Sequence, residues 1–181
     1  MGTEFLNFGV DAGIPNNPNL AVVLRRGIDA IVDAPEACEE LFARNGWVGT
    51  WRNGIFAFHH FHSNAHEVLG IVSGSARVLL GGPGGTEVTL AAGDVVVLPA
   101  GTGHKRESGA ADLLVIGGYP PGQEGYDLRR GDPAELDEVT RNVAAVPLPA
   151  TDPVAGPDGA LIEAWGPQRL GRPDSVLGAR R

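Results

Sequence analysis

The chain has 181 residues, with 27 glycines, 14 prolines and a formal net charge of −8. This length suits one domain with a substantial core, and the acidic balance excludes a basic field for nucleic acid or an anionic membrane. A single cysteine, Cys38, excludes an intramolecular disulfide, and no apolar run approaches the roughly 20 residues that span a bilayer. Because no leader pattern opens the chain, we expect a cytoplasmic protein built from short strands and turns.

The first predicted elements are an edge strand and a helix. Residues 20–24 form an apolar run that fits an edge strand. Next, Asp33 is a suitable N-cap, Glu36 completes a capping box, and Gly46 sits where a helix C-terminus favours a positive φ. We expect this helix to pack on the outside of the main domain. The apolar residues at helical spacing within it are Cys38, Leu41 and Phe42.

From residue 47 to about residue 119 the pattern changes to short β runs separated by glycine-rich turns. Such runs at regular spacing predict an antiparallel sandwich or barrel. Beyond them, we expect a short helix at 134–143 and a tail that wraps the barrel or a neighbouring subunit, with the last dozen residues loosely held. The predicted strands cover residues 55–62, 67–72, 76–80, 87–90, 95–98 and 112–116.

All five histidines lie in or beside two short segments. Residues 54–74 carry His60, His62 and Glu67 at a spacing typical of metal ligands, and residues 93–108 add His104. Imidazole and carboxylate together suit divalent first-row metals, and this set would leave coordination positions open for water, substrate or O₂. Taken alone, the first two histidines also fit half-buried strand residues.

Side chains alternate between the two faces of a strand, which assigns a pocket to one face. His60 and His62 share a face with two phenylalanines, and an antiparallel return of the chain brings Glu67 opposite His62. The pattern therefore predicts an apolar pocket with polar residues at its mouth. We expect His59 and His66 on the outer surface or at a subunit interface, although a role behind the site stays open. The residues expected to line the pocket are Phe56, Phe58, Leu69 and Ile71.

The two segments resemble the two motifs of the cupin superfamily. On the stretches RNGWVGTWRNG, HHFHSNAHEVLGIVSGSARVLLGG and LPAGTGHKR, the chain also resembles, over residues 15–165, a bacterial subgroup of uncharacterised one-domain cupins, the YjlB-like proteins. The positions matching G-x5-H-x-H-x4-E-x6-G are Gly54, His60, His62, Glu67 and Gly74. Those matching G-x5-P-x-G-x2-H-x3-N are Gly93, Pro99, Gly101 and His104, with Ser108 in place of the asparagine.

This resemblance implies an all-β double-stranded β-helix, or jelly-roll barrel, with a short N-terminal helix and a Pro-rich C-terminal tail. We expect residues 1–46 to pack on the barrel, residues 47–120 to form its core and residues 121–181 to extend it. The resemblance also implies one divalent transition metal per chain: Fe, Mn, Ni, Cu or Zn. Its implied ligands are His60, His62, Glu67 and His104.

The resemblance leaves the activity open, because cupins include dioxygenases, decarboxylases, isomerases, epimerases, storage proteins and ligand sensors. The leading hypothesis is a metal-dependent oxidoreductase or lyase/isomerase that acts on a small oxygenated or anionic molecule, with Arg106 or Tyr119 as candidate catalytic residues. The alternative is a non-catalytic module that binds or senses a small molecule. A metal-free sugar epimerase or isomerase ranks third, because it would need a His-Asp or Tyr acid/base set in place of the four ligands. We also expect a homodimer, formed through residues 21–24 or the tail.

Overall fold

The structure is a computed structural model and describes residues 2–166. Over these residues nine strands outweigh three short α-helices, and none of the helices is long and apolar enough to cross a membrane. The strands are β1 (Gly2–Leu6), β2 (Val22–Arg26), β3 (Val48–Asn53), β4 (Glu67–Ser73), β5 (Ser75–Leu80), β6 (Thr86–Ala91), β7 (Val95–Leu98), β8 (His104–Gly109) and β9 (Leu114–Tyr119). The helices are α1 (Pro35–Arg44), α2 (Leu136–Ala145) and α3 (Ala160–Trp165).

The strands form two antiparallel sheets, which pack face to face. The larger has the order β1-β2-β7-β4-β9-β3 and the smaller the order β6-β5-β8. Leu69 and Val96 of the larger sheet share one buried cluster with Val78 and Leu90 of the smaller. Because side chains alternate along each strand, these residues mark the inner faces of the sandwich. The predicted jelly-roll barrel is confirmed.

A second buried cluster lies on the outer face of the larger sheet, beneath α1. Cys38 and Phe42 of the helix pack there with Val68 of β4 and Ile116 of β9. A Cβ atom on Gly70 would lie 2.6 Å from the Cys38 sulfur, so the missing side chain lets α1 approach β4 closely. The helix therefore packs on the outside of the barrel, as predicted.

The start of α1 differs from the prediction. Its N-cap is Ala34, with no side-chain hydrogen bond, and Asp33 adopts a left-handed φ of 51°. The predicted capping box is wrong, because the Glu36 carboxylate accepts a hydrogen bond from Arg52 at 2.9 Å instead of reaching back to the helix start. Gly46 does have the positive φ expected beyond the C-terminus, at 81°.

Several of the predicted strands differ from the strands in the structure. Residues 55–62 form no regular strand and make only isolated bridges, from His60 to His104 and from Phe61 to Arg129. The predicted edge strand at 20–24 appears as β2, which is flanked by β1 and β7 and so has both edges paired. Strands β1, β3 and β8 were not predicted, and β9 begins two residues later than expected.

The chain beyond β9 packs back onto its own barrel. Helix α2 confirms the predicted helix to within two residues. The Trp165 indole N–H donates to the Ala21 carbonyl oxygen at 2.8 Å, and the Trp47 indole N–H donates to the Thr151 carbonyl oxygen at 3.0 Å. These bonds dock the segment up to residue 166 beside α1. The last dozen residues, predicted to be loosely held, lie outside the described part of the chain.

Candidate metal centre

The four sequence-predicted ligands converge on one cavity. Glu67 is the first residue of β4 and His104 the first of β8, so regular strands position both. His60 and His62 lie on the irregular segment before β4. The His60 backbone is fixed by hydrogen bonds with His104 in both directions, at 3.2 and 2.9 Å. All four side chains are buried.

Three of these side chains form a compact group. One ligand atom from each of His62, Glu67 and His104 lies within 4.8 Å of the others. The Nε2 atoms of both histidines are 3.4 Å from the same carboxylate oxygen, Oε2 of Glu67. His60 lies at the margin of the group, with its ring centroid 4.0 Å from that of His104. The structure thus brings three predicted ligands together and sets the fourth beside them.

Backbone carbonyl groups orient all three imidazole rings. Because a carbonyl oxygen only accepts hydrogen bonds, each Nδ1 carries a proton, and in the neutral ring Nε2 then has the free lone pair. A histidine that binds a metal through Nε2 has this arrangement, with its other nitrogen donating to a neighbour. The Nδ1 partners are the Phe58 oxygen for His60 at 3.1 Å, the Thr102 oxygen for His104 at 3.0 Å and the Asp127 oxygen for His62.

One oxygen of the Glu67 carboxylate accepts a hydrogen bond, and the other accepts none from the described residues. The Tyr119 hydroxyl donates to Oε1 at 3.1 Å, and the Trp51 indole N–H donates to that hydroxyl at 2.7 Å. Oε2 is buried and has no hydrogen-bond partner among the described residues. A buried carboxylate oxygen that lacks a hydrogen-bond partner and faces two imidazole Nε2 atoms is unfavourable unless a cation or a proton lies between them. The donor set therefore fits a divalent metal.

Burial and neighbouring charges set the protonation of the group. Burial, reinforced by His104, lowers the pKa of His60 to about 3, so this ring is neutral at pH 7. Burial opposes ionisation of Glu67, but His62 and His104 outweigh it and hold the pKa of Glu67 below its usual range. Burial also opposes a charge on His62, but Glu67 raises the pKa of that ring. The group thus combines an ionised Glu67 carboxylate with a neutral His60 ring, whose Nε2 has a free lone pair.

A cavity of about 210 Å³ adjoins these side chains. Of the predicted pocket residues, Phe56 and Leu69 line it. Phe58 stacks behind Phe56 at a centroid distance of 4.9 Å, and Ile71 belongs to the core between the sheets, so neither lines the cavity. The polar residues lie at the buried end and Phe56 lies exposed at the mouth, which reverses the predicted order. The reversal follows from the irregular backbone at 55–62, which does not alternate as a strand would.

Residues 121–130, which we call the strap, close one side of the cavity and were missed from the sequence. Tyr126 and Leu128 line the cavity, and the Asp127 carbonyl oxygen fixes His62. The Asp127 carboxylate accepts hydrogen bonds from the Ser63 backbone N–H and hydroxyl, both at 2.6 Å. It also accepts one from Arg129 Nε at 2.8 Å. The only sequence signal was a polar, Pro-rich stretch without periodicity.

Two other candidates take positions that the sequence did not predict. The Arg106 side chain does not line the cavity, and its Nε donates to the Ile55 carbonyl oxygen at 2.9 Å. His66 is fully buried, where its Nδ1 accepts from the Ala100 N–H at 2.9 Å and its ring packs on Trp165. The predicted surface position of His66 is therefore wrong, because the turn before β4 points this ring into the core.

The remaining candidates are Tyr119 and His59. Tyr119 lines the cavity and reaches Glu67 through its hydroxyl. Burial, with the Glu67 charge, raises the pKa of Tyr119, so the hydroxyl stays protonated and donates. His59 is half-buried and does not line the cavity.

Comparisons with known proteins agree with this architecture. A family model described as "Cupin domain" matches residues 50–116. The "Uncharacterized protein YjlB" of Bacillus subtilis (strain 168) is 38% identical over 163 residues, which cover 90% of this chain and 96% of that protein.

Two solved structures are also similar to parts of the chain. Acireductone dioxygenase from Bacillus anthracis, with a cadmium ion in its active centre, is 22% identical with a TM-score of 0.36, over 49% of this chain and 60% of its own. A single-residue variant of oxalate decarboxylase from Bacillus subtilis is 20% identical with a TM-score of 0.37, over 65% of this chain and 29% of its own. The chain thus spans less than two thirds of either protein. By its identity to YjlB and its domain match, the chain belongs to the YjlB-like family of cupins.

Proposed function

We propose that the chain binds one divalent transition metal, Fe, Mn, Ni, Cu or Zn, through His60, His62, Glu67 and His104. One observation carries this proposal: the buried Glu67 Oε2 lacks a hydrogen-bond partner among the described residues and faces two imidazole Nε2 atoms at 3.4 Å. His60 is the fourth proposed ligand, because its Nδ1 is tied to a carbonyl and its Nε2 is free to bind.

We propose further that the protein is an enzyme of the dioxygenase or decarboxylase/isomerase type, acting on a small oxygenated or anionic molecule. A bound metal would supply Lewis-acid polarisation of a substrate oxygen or redox contact with O₂. Tyr119 holds the Glu67 carboxylate in place, and it stays a candidate catalytic residue because its hydroxyl borders the cavity. Leu69 and Ile55 are buried in the walls and exclude water from the inner end. The hydrogen bond from Arg106 to Ile55 supports a positioning role for that arginine.

A non-catalytic binding or sensing role is the second candidate. Within residues 2–166, the titratable groups that line the cavity beyond the proposed ligands are Tyr119, Tyr126 and Arg52, and two of these three are already engaged. The Tyr119 hydroxyl is hydrogen-bonded to both Glu67 and Trp51, and the Arg52 guanidinium is paired with Glu39. Turnover of small acids by metal-loaded protein would favour the enzyme, and binding without turnover would favour the sensor.

Elemental analysis of purified, untagged protein tests the metal site. We expect about one equivalent of metal per chain, lost in Glu67→Gln protein that keeps its circular dichroism spectrum. His59→Ala is the matched control, because His59 lies outside the cavity lining, and it should keep its metal. Full occupancy in folded Glu67→Gln protein would contradict the proposal.

We also propose a homodimer in the cytoplasm. Strand β1 lies at one edge of the larger sheet and is largely exposed, with Phe5 49% exposed. An unpaired edge strand of this kind is suited to pairing with a second copy. Light scattering should give twice the chain mass of 18.8 kDa, and Thr3→Pro should lower it toward the monomer if β1 is the interface.

A further inference from the structure

The cavity has a charged inner end, which we call the floor, and largely apolar walls. The floor is formed by Glu67 and the three imidazoles described above. Ile55 and Leu69 form buried wall next to the floor, and Trp51 and Leu128 extend the wall toward solvent. A ligand that reaches the floor therefore lies against hydrocarbon along most of its length.

The one arginine in the cavity wall is already neutralised. Within residues 2–166, Arg52 is the only arginine or lysine that lines the cavity. Its guanidinium donates to Glu39 at 2.8 Å and to Glu36 at 2.9 Å, both on the exposed side of α1. Two carboxylates on one guanidinium leave little positive charge for recruiting an anionic ligand.

Two further arginines lie close to the cavity but are engaged elsewhere. Arg106 donates to the Ile55 carbonyl oxygen, and the Arg130 guanidinium packs 3.7 Å from the centroid of the Phe58 ring. Neither arginine lines the cavity. The described part of the chain therefore offers no second cation for a second anionic group on the ligand.

We infer that the ligand of this site is a small monoanion with an apolar body, such as an aliphatic or aromatic monocarboxylate, whose oxygens bind at the floor. This inference rests on the metal site proposed above. A divalent ion, an ionised Glu67 and neutral imidazoles together carry one net positive charge, which one carboxylate balances. A second carboxylate inside the cavity would lie unpaired against Ile55 or Leu69, and burying an unpaired charge is strongly unfavourable.

The volume of the cavity limits the ligand further. The cavity volume is about 210 Å³. This is below the roughly 300 Å³ at which pockets for drug-sized ligands begin. The ligand is therefore a small metabolite rather than an extended cofactor.

Hexanoate and adipate form a matched pair of probes, because adipate has a carboxylate where hexanoate has its terminal methyl group. Calorimetric titration of each into zinc-loaded protein, with the loading verified by elemental analysis, gives both dissociation constants. We expect hexanoate to bind at least about tenfold more tightly than adipate.

A cation added to the wall sharpens the test. Leu128 is 43% exposed in the cavity wall and Leu148 is 52% exposed outside it, so both positions accommodate arginine. Leu128→Arg should improve adipate binding relative to hexanoate by about fivefold or more, and Leu148→Arg should leave the ratio unchanged. Zinc-loaded protein that binds adipate as tightly as hexanoate, or binds neither, would overturn the monoanion inference and leave the metal site standing. Protein that takes up no zinc would overturn the metal site, and this inference with it.

Discussion

The floor of the cavity and the strap beside it are held in different ways. Glu67 and His104 begin strands β4 and β8, which are paired with neighbouring strands along the sheets. The strap has no regular strand and is tied down by the Asp127 carboxylate, by side-chain hydrogen bonds of Asn64 and Gln123, and by one isolated backbone bridge, from Phe61 to Arg129. The sheets therefore position Glu67 and His104, while an irregular segment orients His62.

Charge reinforces the attachment of the strap. Burial opposes ionisation of Asp127, but hydrogen bonds from Ser63 and Arg129 lower its pKa, so this carboxylate is charged at neutral pH. Helix α2 braces the same contact, because Asn142 donates to the Ser63 hydroxyl at 3.1 Å and Glu138 accepts from Arg129 at 2.8 Å. Metal affinity should therefore respond to changes in the strap while the barrel stays folded.

Removing a ligand from the floor should have the largest effect. His104→Ala deletes an Nε2 atom that lies 3.4 Å from Glu67 Oε2, and we expect zinc affinity to fall by about a hundredfold or more. Competition with a chelating dye measures the affinity, and thermal melting verifies the fold. Unchanged zinc affinity in folded His104→Ala protein would show that the floor is not a metal site.

A change on the outer face of the sheet should affect stability and spare the site. In Gly70→Ala, the new methyl group would lie 2.6 Å from the Cys38 sulfur and 3.0 Å from Phe42, so we expect a loss of about 2 kcal/mol in the free energy of unfolding. Adding Cys38→Ala should restore part of the loss. Gly125→Ala in the strap, where the methyl group meets open space, is the matched control. Urea denaturation measures all three, and a fully stable Gly70→Ala protein would mean that α1 is not seated as described.

Loosening the strap should affect the site and spare the stability. Asp127→Ala keeps the carbonyl group that holds His62 but removes the carboxylate that anchors it to Ser63, so we expect zinc affinity to fall by about tenfold. Asp137→Ala, an exposed change in the first turn of α2, is the control and should leave affinity unchanged. The same dye competition separates the two variants. Equal affinities would mean that the strap does not orient His62.

The smallest effect is expected at Cys38. This thiol is buried beneath α1, and burial raises its pKa to about 12, so it should not react with a thiol reagent at pH 8 in the folded protein. One thiol per chain should react after unfolding in denaturant. Asp127→Ala should leave Cys38 protected, because the strap does not cover α1. Rapid labelling of Cys38 in that variant would show that the strap and the contact beneath α1 open together as one cooperative unit.

Local sequence patterns correctly predicted those features that lie on regular strands and helices. The motif spacing identified Glu67 and His104, which open paired strands, and the apolar spacing of Cys38 and Phe42 identified α1. These predictions succeeded because each depends on contacts repeated at a fixed period along one element.

The sequence could not predict features that depend on contacts distant along the chain. Residues 55–62 look like an alternating strand, but they are held by bridges to His104 and Arg129. The bond from His62 to Asp127 joins residues 65 positions apart, and no local pattern marks Asp127. Strand β8 was missed because its sequence, HKRESG, has no apolar alternation.

Anomalous diffraction from zinc-soaked crystals tests the proposed metal site most directly. We predict one strong peak per chain in the cavity, about 2.0–2.2 Å from Glu67 Oε2 and from the Nε2 atoms of His60, His62 and His104. A cavity without a peak, beside zinc bound elsewhere on the surface, would contradict the proposed site.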